Sequence, residues 1–411
     1  MKRAKSTEKQ SNSTMIGNDA RSRYNLGMYH FAIDGNEANT AQRVGSNVFA
    51  YELLVALEEL TRKNEDITWT VLLSSTRVED LPKEREGWQY LVVGPRPLWT
   101  QIGLPMHLFI HQNTYDVFFT PGHYAPRSSA VPYITSVMDL GFLKFPDQFR
   151  KKDYLQLKEW TKYSVQHADK VLAISEFTKA AVVKEYRRKA DDVFIAYPSL
   201  PVVREDQSNV SASWIKKDLG LKHPYILYVG TLQPRKNIPT LVKAFDQFCT
   251  TYKKKEQPQL VIAGKVGWLA EETLKTVEAS PYRDRIHLLG YVTDAQKTML
   301  YRKSACTVLL GLYEGFGIPP LEAMAAGTLP IVADTSSLPE VIGEAGFKVS
   351  PHNTQDLVAV FEAIYKLTPR HRAALLKKGR LQVKAFSWQN SAQIILDQLI
   401  GVASAHGKKT A

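Results

Sequence analysis

The stretch ACTVLLGLYEGFGIPPLEAMAAGTLPIVAD (305–334) has the pattern of a strand, a loop, a helix and a second strand. Its ends, "ACTVLLGL" and "LPIVAD", are short continuous apolar runs, which are typical of strands buried on both faces of a parallel sheet. Residues 318–326 lie between them and form the predicted helix. We therefore predict a βαβ unit, the building block of doubly wound α/β domains.

The same alternation of strands and helices continues on both sides of this stretch. In the first half the predicted strands are "MYHFAID", "TWTVLLSS", "WQYLVVG", "DVFFTPG", "PYITSVMD", "KVLAIS" and "VFIAYPS", with helices at 46–60, 99–112, 151–167 and 176–188. In the second half they are "YILYVG", "QLVIAG" and "IHLLGYV", with helices at 238–252, 269–279, 294–303, 354–367, 369–385 and 386–404. Both halves are therefore predicted to be α/β doubly wound parallel sheets.

The length of 411 residues favours two domains over one core. Residues 1–27 are polar and basic and are predicted to be a flexible tail. A polar, irregular segment places the predicted boundary near Arg204, so that the first domain covers 28–204 and the second 205–385. The helix 386–404 closes its own domain or packs across on the first one.

Composition narrows the class of protein. No stretch approaches the roughly 18 apolar residues that a membrane-spanning helix needs. The only cysteines, Cys249 and Cys306, are predicted to be buried thiols in a reducing cytoplasm, with no metal site. A net charge of +12 calls for a polyanionic partner: nucleic acid, an anionic membrane surface or a phosphorylated substrate.

The residues directly after the strands of the second half are the candidates for ligand binding, because ligands lie beyond the carboxyl ends of an open parallel sheet. Glycines at these positions allow close approach of a ligand to the backbone. The four positions are Gly230 with Thr231, Gly264 with Lys265, Gly290 with Tyr291, and Glu314 with Gly315.

A predicted anion site follows the first of these strands. In "YVGTLQPRKN", Arg235 and Lys236 stand just before a helix whose start is marked by Asn237 and Pro239. Two cations beside the free amides of a helix amino end favour negative charge, and a diphosphate fits such a site. A solvated Arg-Lys pair is the alternative.

The two glutamates of the 305–334 stretch are candidates for holding sugar rings. Glu314 follows a strand, and Glu322 lies about one turn inside the helix 318–326 and faces the same cleft. Carboxylates accept hydrogen bonds from sugar hydroxyls, so two of them can hold two polyhydroxylated rings. Two exposed helix glutamates are the alternative interpretation. In the first half, Gly45 precedes a helix and is either part of the same cleft or a simple turn.

With these residues in place, the sequence resembles the family 4 glycosyltransferases, retaining enzymes of the two-domain GT-B fold with an interdomain cleft. The resemblance runs from about Met28 to Val402. Its strongest part is "YEGFGIPPLEAMAAGTLPIVADTSSLPEVIGEAGF", supported by "YVGTLQPRKNIPTLVKAF" and "ADKVLAISEFTKAAVVKEY".

This resemblance implies a role for each candidate residue. Arg235 and Lys236 would neutralise the donor diphosphate, and Glu322 would accept hydrogen bonds from the ribose. Glu314 and the backbone of Gly315, Phe316, Gly317 and Ile318 would hold the transferred sugar. The remaining donor contacts would come from Gly45, Gly230, Thr231, Lys265, Tyr291 and Val292. No cofactor, metal or enzyme nucleophile is implied, and the cations supply much of the catalysis.

The resemblance also implies the partners. The donor would be GDP-mannose or a UDP-sugar, with mannose favoured, and the acceptor a glycan or a lipid-linked chain of the cell surface. The expected place is the cytoplasm, with peripheral contact between a basic face at 144–170 and 179–189 and an anionic inner membrane. In this face Tyr154, Leu157 and Trp160 form an apolar stripe that either meets lipid or packs in the core. Nucleic acid is not expected as a partner.

The chain departs from the family pattern near the expected sugar end of the site. Relatives often carry His-Asp where this sequence has Met138-Asp139. His123 in "TPGHYAP" either supplies the missing imidazole or is a satisfied structural histidine. A phosphorylase or nucleotide-sugar epimerase of the same fold, and a non-catalytic basic protein that binds membrane or nucleic acid, remain as alternatives.

Overall fold

The structure is a computed structural model that describes residues 28–201, 214–215, 219–221, 225–252 and 257–407. Its first sheet contains seven parallel strands in the order β3-β2-β1-β4-β5-β6-β7. The strands are β1 (Tyr29–Asp34), β2 (Ile67–Leu73), β3 (Trp88–Val92), β4 (Val117–Thr120), β5 (Tyr133–Val137), β6 (Lys170–Ala173) and β7 (Val193–Ile195). We call this sheet and its helices the first domain.

The helices of the first domain connect these strands in the predicted alternation. They are α1 (Ser46–Thr61), α2 (Leu104–Ile110), α3 (Gly141–Lys144), α4 (Lys151–His167) and α5 (Glu176–Tyr186). The predicted helix 99–112 differs in detail, because its first turn, Trp99–Gly103, is π-helical and the helix ends at Ile110.

The second sheet contains six parallel strands in the order β10-β9-β8-β11-β12-β13, and with its helices it forms the second domain. The strands are β8 (Tyr225–Val229), β9 (Gln259–Ala263), β10 (Ile286–Gly290), β11 (Cys306–Leu309), β12 (Leu329–Ala333) and β13 (Phe347–Val349). The helices are α6 (Ile238–Thr251), α7 (Glu271–Glu278), α8 (Asp294–Lys303), α9 (Ile318–Ala326), α10 (Leu338–Ile342), α11 (Thr354–Lys366) and α12 (Pro369–Val383).

The central strands of both sheets are buried on both faces, as the apolar runs predict, whereas the edge strands β3 and β10 are partly exposed. Every residue of β4, β5, β8, β11 and β12 is buried. Cys249 and Cys306 are free and buried, and burial raises the pKa of each thiol to about 12. The strand order is that of doubly wound α/β domains, which confirms the predicted fold class.

The last helix, α13 (Trp388–Ala405), packs on the first domain. The Trp388 ring lies 5.7 Å from that of Phe49 on α1, and its Nε1 donates to the carbonyl of Leu200 at 2.8 Å. Ser391 Oγ donates to the carbonyl of Tyr197 at 2.6 Å. The chain therefore returns to the first domain after completing the second. The tail 1–27 and the boundary at Arg204 lie outside the described residues.

Candidate active site

The loop after β11 is where the second domain meets the first. A Cβ added to Gly315 would overlap the carbonyl oxygen of Met138, which follows β5. Thr178 Oγ1, on α5, lies 3.4 Å from this same carbonyl and 3.3 Å from the carbonyl of Gly315. Glycine at position 315 therefore allows the two backbones to touch between the sheets.

A cluster of two cations and one carboxylate lies beside this contact. Lys236 Nζ donates to Glu314 Oε1 at 2.6 Å, and Arg235 Nη1 lies 3.6 Å from Glu314 Oε2. The same Arg235 nitrogen donates to the carbonyl of Tyr313 at 2.9 Å. The Glu314 side chain is only 8% exposed. The structure therefore brings the three predicted catalytic side chains together, and the solvated Arg-Lys pair is wrong.

Burial and charge act in opposite directions on these cations. Burial lowers the pKa of Lys236, and Glu314 only partly opposes this effect, so the pKa lies below its usual value. Burial also lowers the pKa of Arg235, but Glu314 and Asp139 raise it above its usual value. Because Asp139 acts on both cations, its carboxylate belongs to the same cleft. The cluster is thus sensitive to any further charge that enters it.

Two serines hold the backbone on which Glu314 stands. Ser337 Oγ donates to the carbonyls of Glu314 and Phe316 at 2.8 and 2.7 Å, and the amide of Glu314 donates to Ser336 Oγ at 3.1 Å. Gly317 has φ +118° at the amino end of α9, a backbone conformation that favours glycine. Sequence reasoning did not name these serines. They follow β12, so the rule about carboxyl strand ends was the signal that could have found them.

Glu322 is also held by specific partners and is not an exposed helix glutamate. Lys297 Nζ donates to Oε1 at 2.6 Å, and the Tyr301 hydroxyl donates to Oε2 at 2.9 Å. Burial lowers the pKa of Lys297, but Glu322 raises it above its usual value. Both partners lie on α8, four residues apart and hence on one face of that helix. This spacing on a predicted helix was the available signal, and sequence reasoning missed it.

The strand ends of the second sheet form an open edge. Gly230 and Gly264 have φ +150° and +148°, and a Cβ on Gly264 would overlap the carbonyl oxygen of Gly230. Lys265 Nζ lies 5.0 Å from the centre of the Tyr291 ring, which is 67% exposed. Thr231 and Lys265 are exposed, whereas Val292 is half-buried. This edge therefore presents accessible backbone, one cation and one aromatic face.

The first domain contributes a histidine between two carboxylates. Burial lowers the pKa of His123, and Asp139 and Glu37 act against that effect. Its Nδ1 is buried and has no hydrogen-bonding partner within the described part of the chain. One ring nitrogen of His123 is therefore not satisfied by the described part of the chain. Glu37, which sequence reasoning did not name, accepts from Asn47 Nδ2 at 2.7 Å.

Gly45 lies at the amino end of α1 with φ +54°, and a Cβ there would meet nothing within 4 Å. It therefore borders open space. Within the described ranges, no group of three or more His, Cys, Asp or Glu residues is placed to hold a metal ion. In the same part of the chain, no helix has the length and apolar character that crossing a membrane requires.

Comparison with known proteins assigns the second domain to a family. Residues 213–382 match the family model of the glycosyl transferases group 1. This match covers less than half of the chain, so it assigns the second domain alone to the family. The chain is 28% identical over 288 residues to O-antigen chain mannosyltransferase B of Escherichia coli, and the match covers 67% of the chain and 71% of the relative. It is 31% identical over 244 residues to the serotype-specific mannosyltransferase WbdA of Escherichia coli, but the match spans only 29% of that relative.

Solved structures confirm the predicted fold of the chain. Sucrose-phosphate synthase from Thermosynechococcus elongatus superposes with a TM-score of 0.67 at 20% identity, over 92% of this chain and all of the other. Anabaena HepE in complex with UDP-glucose superposes with a TM-score of 0.66 at 16% identity, over 91% of this chain and all of the other. The two doubly wound sheets of the chain are therefore those of the GT-B fold, as the resemblance implied.

Proposed function

We propose that the chain is a retaining hexosyltransferase that moves a sugar, mannose in preference, from a nucleoside diphosphate to a glycan or lipid-linked acceptor in cell-surface polysaccharide synthesis. The observation that carries the proposal is the buried cluster of Arg235, Lys236 and Glu314 at the interdomain contact. Two cations fixed at one point suit the charge that accumulates on a departing diphosphate.

In this proposal Arg235 and Lys236 bind the diphosphate, and Glu314 with the backbone of 315–318 holds the transferred sugar. Lys236 illustrates why the three side chains act together. Burial disfavours its charged form, and the carboxylate at 2.6 Å opposes that effect. A second anion, the donor phosphate, would further favour the ammonium form of Lys236. No divalent cation is needed where two fixed cations neutralise the leaving group.

Glu322 would bind the ribose of the donor. Lys297 and Tyr301 each occupy one of its oxygens, yet a carboxylate has about four acceptor sites, so two hydroxyls can still donate to it. The exposed ring of Tyr291, with Val292, would lie beside the base. The backbone of Gly230, together with Thr231 and Lys265, would line the approach to the phosphates, and Gly45 would approach them from the first domain.

His123 and Asp139 are proposed to contact the sugar end or the acceptor. Met138 cannot replace the hydrogen bonds of the histidine that relatives often carry there. His123 has a free ring nitrogen and lies within electrostatic range of Asp139, so it offers the missing imidazole from another loop. Mannose is favoured because the relatives named above are mannosyltransferases, and GDP-mannose is therefore the preferred donor over UDP-sugars.

The proposal is tested by incubating the full chain with GDP-mannose, UDP-glucose and related donors and measuring nucleoside diphosphate release. We expect one donor to turn over, and Lys236→Met and Glu314→Gln to lower kcat/KM by about 10²- to 10³-fold. Lys243→Met and Glu272→Gln, at exposed positions of α6 and α7, serve as matched controls and should leave it unchanged. Absence of donor binding and turnover, or equal behaviour of site and control variants, would contradict the proposal.

The stereochemistry of the product separates the alternatives within the fold. We expect NMR to show the anomeric configuration of the donor in the transferred sugar. Inversion at this carbon would exclude a retaining enzyme. A requirement for added phosphate would instead identify a phosphorylase, and a change within the donor sugar without transfer would identify an epimerase.

A further inference from the structure

An exposed apolar stripe on α2 is the surface that the proposed active site does not use. Its members are Leu98, Ile102, Met106, Phe109 and Ile110, which are 56, 45, 51, 64 and 67% exposed, respectively. We call these five residues the α2 stripe. Leu98 directly precedes the π-helical turn, and the other four follow at intervals of four, three and one residue along that turn and α2, as on one face of an amphipathic helix.

The opposite face of the same helix fixes its orientation. Leu104 and Leu108 are fully buried in the first domain, so the helix cannot roll the stripe inward without exposing them. With 3.6 residues per turn, the helical members of the stripe fall within a sector of about 100°. An apolar sector of this width normally faces a protein core. In this chain it faces outward.

The α2 stripe begins at the edge of the sheet that carries the active site. Trp99 Nε1 donates to Asp34 Oδ2 at 3.4 Å, and Asp34 is the last residue of β1. The amino end of the helix therefore lies at the carboxyl end of the first sheet. Any surface that binds the α2 stripe would therefore lie close to the carboxyl edge of the first sheet.

The charged residues around the α2 stripe indicate which kind of partner it can bind. The sequence from 87 to 115 contains no aspartate or glutamate, and Arg96 is the only Lys or Arg in it. The amide of Arg127 donates to the carbonyl of Thr100 at 2.9 Å, which places a second exposed arginine beside the helix. An apolar stripe with cations and no nearby acid in its own segment fits an anionic, partly apolar surface.

The basic face predicted from the sequence does not offer such a stripe. Tyr154 and Leu157, at helical spacing on α4, pack against the core of the first domain. The alternative that placed the stripe in the core is therefore correct for these two residues, whereas Trp160 is half-buried and the neighbouring Leu155 is 48% exposed, so this face offers cations with a single exposed large aliphatic side chain. Arg127 connects it to the α2 stripe, because its guanidinium lies 5.0 Å from the centre of the Tyr163 ring on α4.

We propose that the α2 stripe inserts into the interface of an anionic phospholipid bilayer and docks the first domain there. A second copy of this chain is the other candidate occupant. Five partly exposed side chains present on the order of 500 Å², whereas a stable protein interface buries roughly 800 Å² per partner. Residues 87–115 carry Arg96 and no acid, so a symmetric contact of this segment with a second copy would bring like charges together. The bilayer is therefore the occupant that these observations favour.

The test is co-sedimentation of the full chain with vesicles of phosphatidylcholine alone and with phosphatidylcholine and phosphatidylglycerol. We expect binding to the anionic vesicles, weakened by about tenfold or more in the double variant Phe109→Ser/Ile110→Ser. The matched control is Leu381→Ser/Ile394→Ser, which removes two exposed apolar side chains from α12 and α13 and should bind like wild type. Arg96→Ser should weaken binding to anionic vesicles only.

Two results would overturn the docking proposal. One is equal vesicle binding by both double variants, or no binding by the wild type. The other is a concentration-dependent dimer, detected by analytical ultracentrifugation, that Phe109→Ser/Ile110→Ser abolishes while vesicle binding is absent. Melting curves of both double variants check that they fold. Donor turnover without vesicles is measured in parallel for the wild type and all variants. If none of them turns over a donor, the proposed function is contradicted but the docking surface is not.

Discussion

The contact of Gly315 with the first domain leads to a quantitative prediction for Gly315→Ala. The new Cβ would overlap the Met138 carbonyl oxygen and lie 3.0 Å from both the Met138 carbonyl carbon and Asp139 Cβ. Ordinary carbon contacts are 3.5–4.0 Å, so the loop or the domain must move by roughly 0.5–1 Å. Overpacking of this kind typically costs about 1–3 kcal/mol.

The displacement would act directly on catalysis, because Glu314 is the preceding residue. A shift of about 1 Å in a reacting group can lower the rate by about 10²-fold. We therefore expect Gly315→Ala to lower both the melting temperature and kcat/KM for the donor. Donor turnover and thermal unfolding of the purified chain measure the two effects.

Gly401→Ala is the matched control for this substitution. Gly401 lies inside α13, and a Cβ there meets nothing within 4 Å. Alanine should stabilise this helix by about 0.5–1 kcal/mol without affecting turnover. The two substitutions therefore have opposite expected signs. If Gly315→Ala melts and turns over like wild type, the two backbones do not touch at this point in solution, and the closed cleft described above is wrong.

Three further predictions concern buried charges and thiols. Glu322→Gln leaves Lys297 only the carboxylate of the exposed Asp294, 2.9 Å from its Nζ, and should destabilise the fold by about 1–3 kcal/mol. Glu322→Gln/Lys297→Met should recover stability but not donor affinity, and denaturant unfolding and calorimetric titration with the donor distinguish the two effects. Cys249 and Cys306, each with a pKa raised by burial to about 12, should resist a thiol reagent at pH 8 until the chain is unfolded, and fast labelling of the native protein would contradict their burial. Burial raises the pKa of Glu340 from 4.5 to about 7, although hydrogen bonds from the backbone amides of Glu176 and Phe177 lower it. The folded state therefore favours the protonated carboxyl, so the stability that this group contributes is fully present below pH 4.5 and is lost as the pH rises through about 7. Melting temperatures between pH 5 and 8 should therefore fall less steeply in Glu340→Gln than in wild type, and identical slopes would argue against this shift.

The positions of the strands and of Glu314 followed from the sequence because buried parallel strands leave continuous apolar runs. In such a sheet the residue after each run lies at the ligand edge. This rule placed Arg235, Lys236 and Glu314 at one edge, and their contacts with one another agree with it. The short elements β13 and α10, of three and five residues, were not predicted because they are too short to show a period.

Other features depend on neighbours that are distant in the sequence. Periodicity predicts that a helix has an apolar face, but it does not predict whether the rest of the chain covers that face. The stripe at Tyr154 and Leu157 is packed in the core, whereas that at Phe109 and Ile110 is not. Likewise, the residues around Glu322 do not indicate that Lys297 binds it, and only the spacing of Lys297 and Tyr301 on α8 points to a shared partner.

The attachment of α13 to the first domain has a consequence for biogenesis. Phe49 leaves the ribosome more than 300 residues before Trp388, its ring partner. At translation speeds of about 5–20 residues per second, that interval lasts on the order of tens of seconds. The nascent first domain therefore exposes the apolar surface meant for its final helix throughout most of synthesis. We expect it to depend on chaperone protection, and C-terminal truncations before Trp388 to aggregate even though both sheets are intact.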